Sequence, residues 1–244
     1  MKTFAAALIL FAVTSSLSAG PAVESKNTSV VAPARCDFRG FYIGLHTGGE
    51  FGQSTSTDLS DYNFPGLSWD YDQSGFIGGE QIGYNWQFGR MLLGAELDGG
   101  YMRLRGRAIE PGFPADTFGE TDSDFYATFR LRAGVTTGPW LLYATGGGIG
   151  VNYEARVEDR SFTTNGPDTI HASGEDFLLG YTVGAGAERM FQAWGRCWSV
   201  KLEYLYFDLG SETFGTRSDN GFGPYRWRVE TSGNMVRAGL NYHF

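Results

Sequence analysis

From Gly40 to the last residue, apolar and polar side chains alternate with a period of two in eight segments separated by turn-forming residues. A two-residue period is the mark of strands with one apolar face, since successive side chains point to opposite sides of a sheet. The segments predict strands over 40–51, 75–88, 91–105, 122–136, 140–155, 176–190, 197–210 and 226–244. In the first, Phe41, Ile43, Leu45 and Phe51 share one face, and Tyr42, Gly44, His46, Gly48 and Glu50 share the other. In the fifth, Leu141, Tyr143, Ile149, Val151 and Tyr153 oppose Ala144, Gly146, Gly148, Gly150 and Asn152. In the last, Val236, Ala238, Leu240, Tyr242 and Phe244 oppose Arg237, Gly239, Asn241 and His243.

The connections alternate between short (88–91, 136–140, 190–197) and long (52–74, 106–121, 156–175, 211–225), the long ones rich in Asp, Gly, Ser, Thr and Pro. An even strand count with short turns at one end and long loops at the other is the pattern of an all-β, eight-stranded, antiparallel, up-and-down transmembrane barrel. Charge and size decide which face looks inward. One set of strand positions carries Glu96, Asp98, Arg130, Arg132, Glu188, Lys201, Glu203 and Arg237 together with most of the strand glycines. The interior of an eight-stranded barrel is narrow, so small residues and paired charges are expected there. The other set is aliphatic, with Trp86, Phe88, Trp198 and Tyr242 toward one end and Tyr101, Phe125, Tyr153 and Phe177 toward the other. Two aromatic girdles around an aliphatic band match a bilayer. Four acids and four bases in a low-dielectric lumen persist only if paired, which predicts a salt-bridged plug. Glu80 breaks the pattern: it falls on the lipid-facing side, either above the girdle or at a bulge.

Upstream of the barrel, Lys2, the apolar stretch Thr3–Val13 and the small residues ending at Ala19 read as a signal peptide over 1–19. That apolar stretch is too short to span a bilayer, which takes about 20 residues. Residues 20–38 lack periodicity and read as a flexible periplasmic arm, leaving 39–244 for the barrel. With 36 glycines and 16% aromatic residues, the composition also favours many strands and turns over a helical membrane protein.

Candidate chemistry is sparse. His46, His171 and His243 are the only histidines, and His171, read as a loop residue, has only an ordinary polar surrounding, so no catalytic residue is assigned. Gly146–Gly150 continues as strand and lacks the lysine of a phosphate-binding loop. Asp58, Asp61, Asp70 and Asp72 lack the ligand spacing of a calcium loop, and two cysteines without histidine support make no zinc site. No metal or other cofactor is expected. Cys36 and Cys197 both fall at the periplasmic rim, separated around the barrel by one strand, and are expected to form a disulfide.

The segments GFYIGLHTGGEFG (40–52), GGEQIGYNWQFG (78–89), LLGAELDGGY (92–101), LLYATGGGIG (141–150), VGAGAE (183–188), WSVKLEYLYFDLG (198–210) and VRAGLNYHF (236–244) together resemble the alphaproteobacterial outer-membrane β-barrel proteins of the RopB type, which share the OmpA-like barrel. The resemblance implies residence in the outer membrane of a Gram-negative bacterium. It also implies recognition of the C-terminal strand, Val236, Ala238, Leu240, Tyr242 and Phe244, by the barrel assembly machinery. Relatives of this type usually carry an apolar residue where Glu80 stands. The Ala-Asp dipeptide that links some relatives to peptidoglycan is absent from residues 20–35, and there is no room for a periplasmic peptidoglycan-binding domain. The expected role is a structural envelope protein, with outer-membrane lipid and lipopolysaccharide as its surroundings and no nucleic acid among its partners. The alternatives are a small porin for passive diffusion of small solutes, or adhesion to host or surface ligands through the four outer loops.

Overall fold

The computed structural model describes residues 36–59, 68–109, 117–159, 171–217 and 224–244. The expected signal peptide, most of the expected arm, and Asp61 lie outside the described residues. Eight strands run β1 (Gly40–Asp58), β2 (Ser68–Phe88), β3 (Met91–Ile109), β4 (Thr117–Thr137), β5 (Trp140–Asp159), β6 (His171–Ala193), β7 (Arg196–Arg217) and β8 (Pro224–His243). Each pairs antiparallel with its sequence neighbour, and β1 closes on β8 from Tyr42 opposite His243 to Asp58 opposite Trp227. The order is that of an up-and-down barrel.

Three two-residue turns join strands at one end. Gly89–Arg90 and Gly138–Pro139 place glycine first, with φ of 62° and 59°, as a type II′ hairpin turn requires. Trp194–Gly195 carries positive φ at both positions (51° and 70°), the type I′ pattern. The β6–β7 connection is therefore tighter than the 190–197 read from sequence.

The strands are much longer than the alternation of outward aliphatics implies. They contain 19 to 23 residues, whereas a membrane crossing needs about 9–11. Much of 52–74, 106–121, 156–175 and 211–225 is strand rather than loop, and His171 opens β6. Beyond the upper girdle the period of two persists but its polarity inverts. On β3, Met102 and Leu104 are buried while Arg103, Arg105 and Arg107 face out; on β8, Trp227 and Val229 are buried while Arg226, Arg228 and Glu230 face out. Asp70 and Asp72 likewise lie on the outer surface of β2. The lower half thus has the polarity of a lipid-embedded barrel and the upper half that of a barrel in water.

β5 corrects a second expectation. Leu141, Tyr143, Ile149, Val151 and Tyr153 face the lumen and are buried, and Ala144, Gly146, Gly148 and Asn152 lie on the outer side. Both faces of this strand are apolar or glycine-rich, so alternation alone gave no sign of which turned inward. Tyr153 therefore belongs to the interior and not to a girdle. The remaining outward positions hold: Phe41, Ile43, Leu45, Leu97, Phe129, Leu131, Leu142, Leu179 and Leu202 are exposed around the band.

Candidate functional site in the barrel lumen

Inward side chains stack in three layers along the barrel. At the periplasmic mouth Phe38, Leu92, Leu141, Tyr143 and Met190 form an apolar cluster, with Cys36 and Cys197 packed against it. The two cysteines are bonded, with Cα atoms 5.5 Å apart. Asn85 donates from Nδ2 to the Phe38 carbonyl at 2.7 Å, and Phe38 meets the His243 ring edge-on. Residues 36–38 consequently line the mouth of the barrel and are not part of a free arm. Burial of Phe38 and the bond at Cys36 hold them there.

Above this mouth lies the charge layer. Glu96, Asp98, Arg130, Arg132, Glu188, Lys201, Glu203 and Arg237 all point inward and are at most 3% exposed. Arg130 is central. Its Nη2 reaches Glu96 and lies 2.7 Å from Asp98, Nη1 lies 3.0 Å from Glu203, and Nε donates to Thr128 Oγ1. Arg237 spans Glu203 (Nε, 2.6 Å) and Asp98 (Nη1, 2.8 Å), and Lys201 donates to both Glu96 oxygens at 2.9 and 3.0 Å. Tyr42 and Tyr143 add hydroxyl donors to Glu96 and Glu203 at 2.6 and 3.0 Å. Their rings fit because glycine faces them: a Cβ at Gly83 would lie 2.1 Å from the Tyr42 hydroxyl, and one at Gly186 would lie 2.5 Å from the Tyr143 ring.

Arg132 and Glu188 form a smaller group. Arg132 lies 3.1 Å from Glu188, donates from Nε to Asn85 Oδ1 at 2.9 Å, and stacks 4.5 Å above the Tyr42 ring centre. A longer contact of 3.7 Å to Glu96 joins it to the main cluster. Ser199 donates to Glu188, and Nε2 of His243 lies 2.8 Å from the same hydroxyl. Since the serine proton is given to Glu188, the histidine acts as donor to Ser199. A nucleophile would need the opposite polarity.

The upper layer is an apolar core that includes Ile77, Met102, Leu104, Ile149, Phe207, Trp227 and Met235. A hydroxyl network crosses it: Ser54 bonds Thr231 at 2.6 Å, and Tyr153 bonds Thr231 at 3.1 Å and accepts from Gln73 at 3.3 Å. Between charge layer and core sits Glu50, 2% exposed, with no hydrogen-bond partner for either carboxylate oxygen among the described residues. It is a lumen acid outside the eight residues singled out from sequence, although it shares a face with Tyr42 and His46. That shared face was the signal. The C-terminal positions Val236, Ala238 and Leu240 face out. Phe244 is exposed and meets Tyr242 edge-on, and Tyr242 meets Trp198 in the same way.

With this geometry in hand, likeness to known proteins is informative. A family model described as "Outer membrane protein beta-barrel domain" matches residues 9–244. The 31 kDa outer-membrane immunogenic protein of Brucella melitensis is 32% identical over 243 residues, covering 95% of this chain and 94% of that protein. The 22 kDa outer membrane protein of Rhizobium leguminosarum is 31% identical over 208 residues, covering 85% of this chain and 78% of that protein. Among solved structures, the outer membrane protein OprG from Pseudomonas aeruginosa aligns with a TM-score of 0.49 at 13% identity, covering 84% of this chain and 97% of that one.

Proposed function

Because the chain belongs to the outer-membrane protein β-barrel family and resides in the outer membrane, we propose that it is a structural envelope barrel whose lumen is closed by the buried ion-pair layer. The observation that carries this reading is Arg130 bound to three carboxylates within a cluster of four acids and four bases, capped by apolar layers above and below. An ion entering from either end would first lose its water in an apolar layer. It would then have to separate pairs whose partners, once freed, remain buried and unneutralised, at a cost of several kcal/mol each. Such a lumen serves rigidity better than transport. The chain is read as non-catalytic for the same reason: its one buried Ser–His contact has the wrong donor polarity and no route to substrate.

The surroundings follow from the outer face. The aliphatic band contacts lipid, the charged upper half meets the lipopolysaccharide headgroups, and the outward residues of β8 ending at Phe244 serve as the signal read by the barrel assembly machinery. Planar-bilayer recording on purified, refolded protein tests the closed lumen. No stable unitary current is expected. Reproducible single-channel steps that persist after repurification would overturn the plug in favour of a small porin.

A further inference from the structure

Glu80 lies on the outer face of the barrel. It stands opposite Leu45 on β1 and Gly99 on β3 in unbroken register, so neither a bulge nor a slip turns it inward. Ile82 and Trp86 flank it on the periplasmic side and Phe76 on the outer side, all exposed to lipid. That places the carboxyl inside the hydrocarbon band and not at its edge. Between the girdles the outward positions are aliphatic, aromatic, alanine or glycine, with two polar exceptions, Glu80 and the neighbouring Thr47. An acid facing lipid tails at this depth costs energy that a polar partner at the same depth offsets.

The surface around Glu80 is shaped for close approach. Thr47, Gly49, Gly78, Gly99, Ala127 and Ala238 lie around it on the outer face, so a second surface can come near the carboxyl. A concavity of about 670 Å³ runs from Glu80 across β1 and β8 as far as Val200 on β7. Lipid tails can fill a dent but offer no hydrogen bond. A covering partner must itself be apolar at this level and present a hydrogen-bonding group at the same depth.

We propose that this face is covered by a second copy of the chain in an isologous dimer through the outer surfaces of β1 and β2 and the adjoining part of β8. Two barrels in one membrane are related by an axis along the membrane normal, so equal depths face each other. Glu80 then meets the other copy's Thr47, the second polar group the band contains. The Thr47 hydroxyl of one copy donates to the Glu80 carboxyl of the other, twice across the axis. Small residues let the two sheets come close, as they do between membrane helices. The dimer depends on the outer surface and the membrane location alone, so a conducting lumen would leave it standing.

Cysteine cross-linking of the full chain in native outer membranes tests it, with the Cys36–Cys197 pair left in place. Thr47→Cys should form a species of twice the monomer mass on mild oxidation, and Ala185→Cys on the far side of the barrel should not. Adding Glu80→Leu should reduce the Thr47→Cys product by about fivefold or more, whereas Glu80→Gln, which keeps a hydrogen bond, should preserve it. Gel mobility without boiling verifies that every variant is folded. Equal cross-linking at Thr47→Cys and Ala185→Cys, a product with a chain of different mass, or a product indifferent to Glu80→Leu would each overturn the dimer.

Discussion

Arg130 shows what a single residue contributes to this barrel. Its guanidinium touches Glu96, Asp98 and Glu203 and hydrogen-bonds Thr128, a use of several donors that lysine could not reproduce. Arg130→Met leaves three buried carboxylates to Lys201, Arg237 and the longer contact of Arg132 with Glu96. A loss of about 3–5 kcal/mol is expected, read as a lower urea midpoint for folding into lipid vesicles. Glu50 should behave in the opposite way. Its carboxyl is buried without a hydrogen-bond partner among the described residues, so Glu50→Leu removes an unsatisfied buried polar group and should raise the same midpoint by about 1 kcal/mol. A drop comparable to that of Arg130→Met would show that Glu50 has a partner in the folded protein. At this scale the sequence was informative about direction but not about pairing. Alternation put all eight cluster residues on one face, whereas which acid meets which base depends on the register of strands that are distant in sequence, such as Glu96 with Lys201.

At the scale of elements, β5 and the cysteine bond are instructive. β5 turns Leu141 to Tyr153 inward because its neighbours in the closed ring fix its pleat, Thr128 opposite Ile149 and Ala144 opposite Ala185. Slipping by one residue would send the whole set to the other face. The Cys36–Cys197 bond ties the segment before β1 to the start of β7, across the β8 position that Cys197 opposes at His243. Replacing both cysteines by serine should leave the barrel folded but lower its stability by about 2–4 kcal/mol, with Phe38 losing its fixed place in the mouth. Thiol titration of the unfolded, unreduced protein should find no free thiol; two reactive thiols would exclude the bond.

For the whole molecule, the inversion of polarity along the strands matters most. The barrel wall continues past the membrane with an apolar interior and a charged exterior, held by pairs such as Arg105 with Asp122 at 2.7 Å. Stability should therefore be sensitive to the interior of the projecting half. Trp227→Ala should cost about 3–5 kcal/mol, and Arg228→Ala on the outer side of the same strand less than about 0.5 kcal/mol. Urea midpoints together with the mobility of unboiled samples would measure both. Similar small effects from the two substitutions would mean that the projecting half adds little to the fold.

The sequence by itself determined the class, the strand number, the two turns at 88–91 and 136–140 and the membrane band, because a strand that is half in lipid must alternate and a spanning sheet must close. It also marked the inward charges, since charge cannot face hydrocarbon cheaply. The tertiary structure decided where the strands end, which way β5 faces and which charges pair. Each of these depends on neighbours brought together only by closure of the ring. Alternation reports that two faces differ, and packing decides which of them is inside.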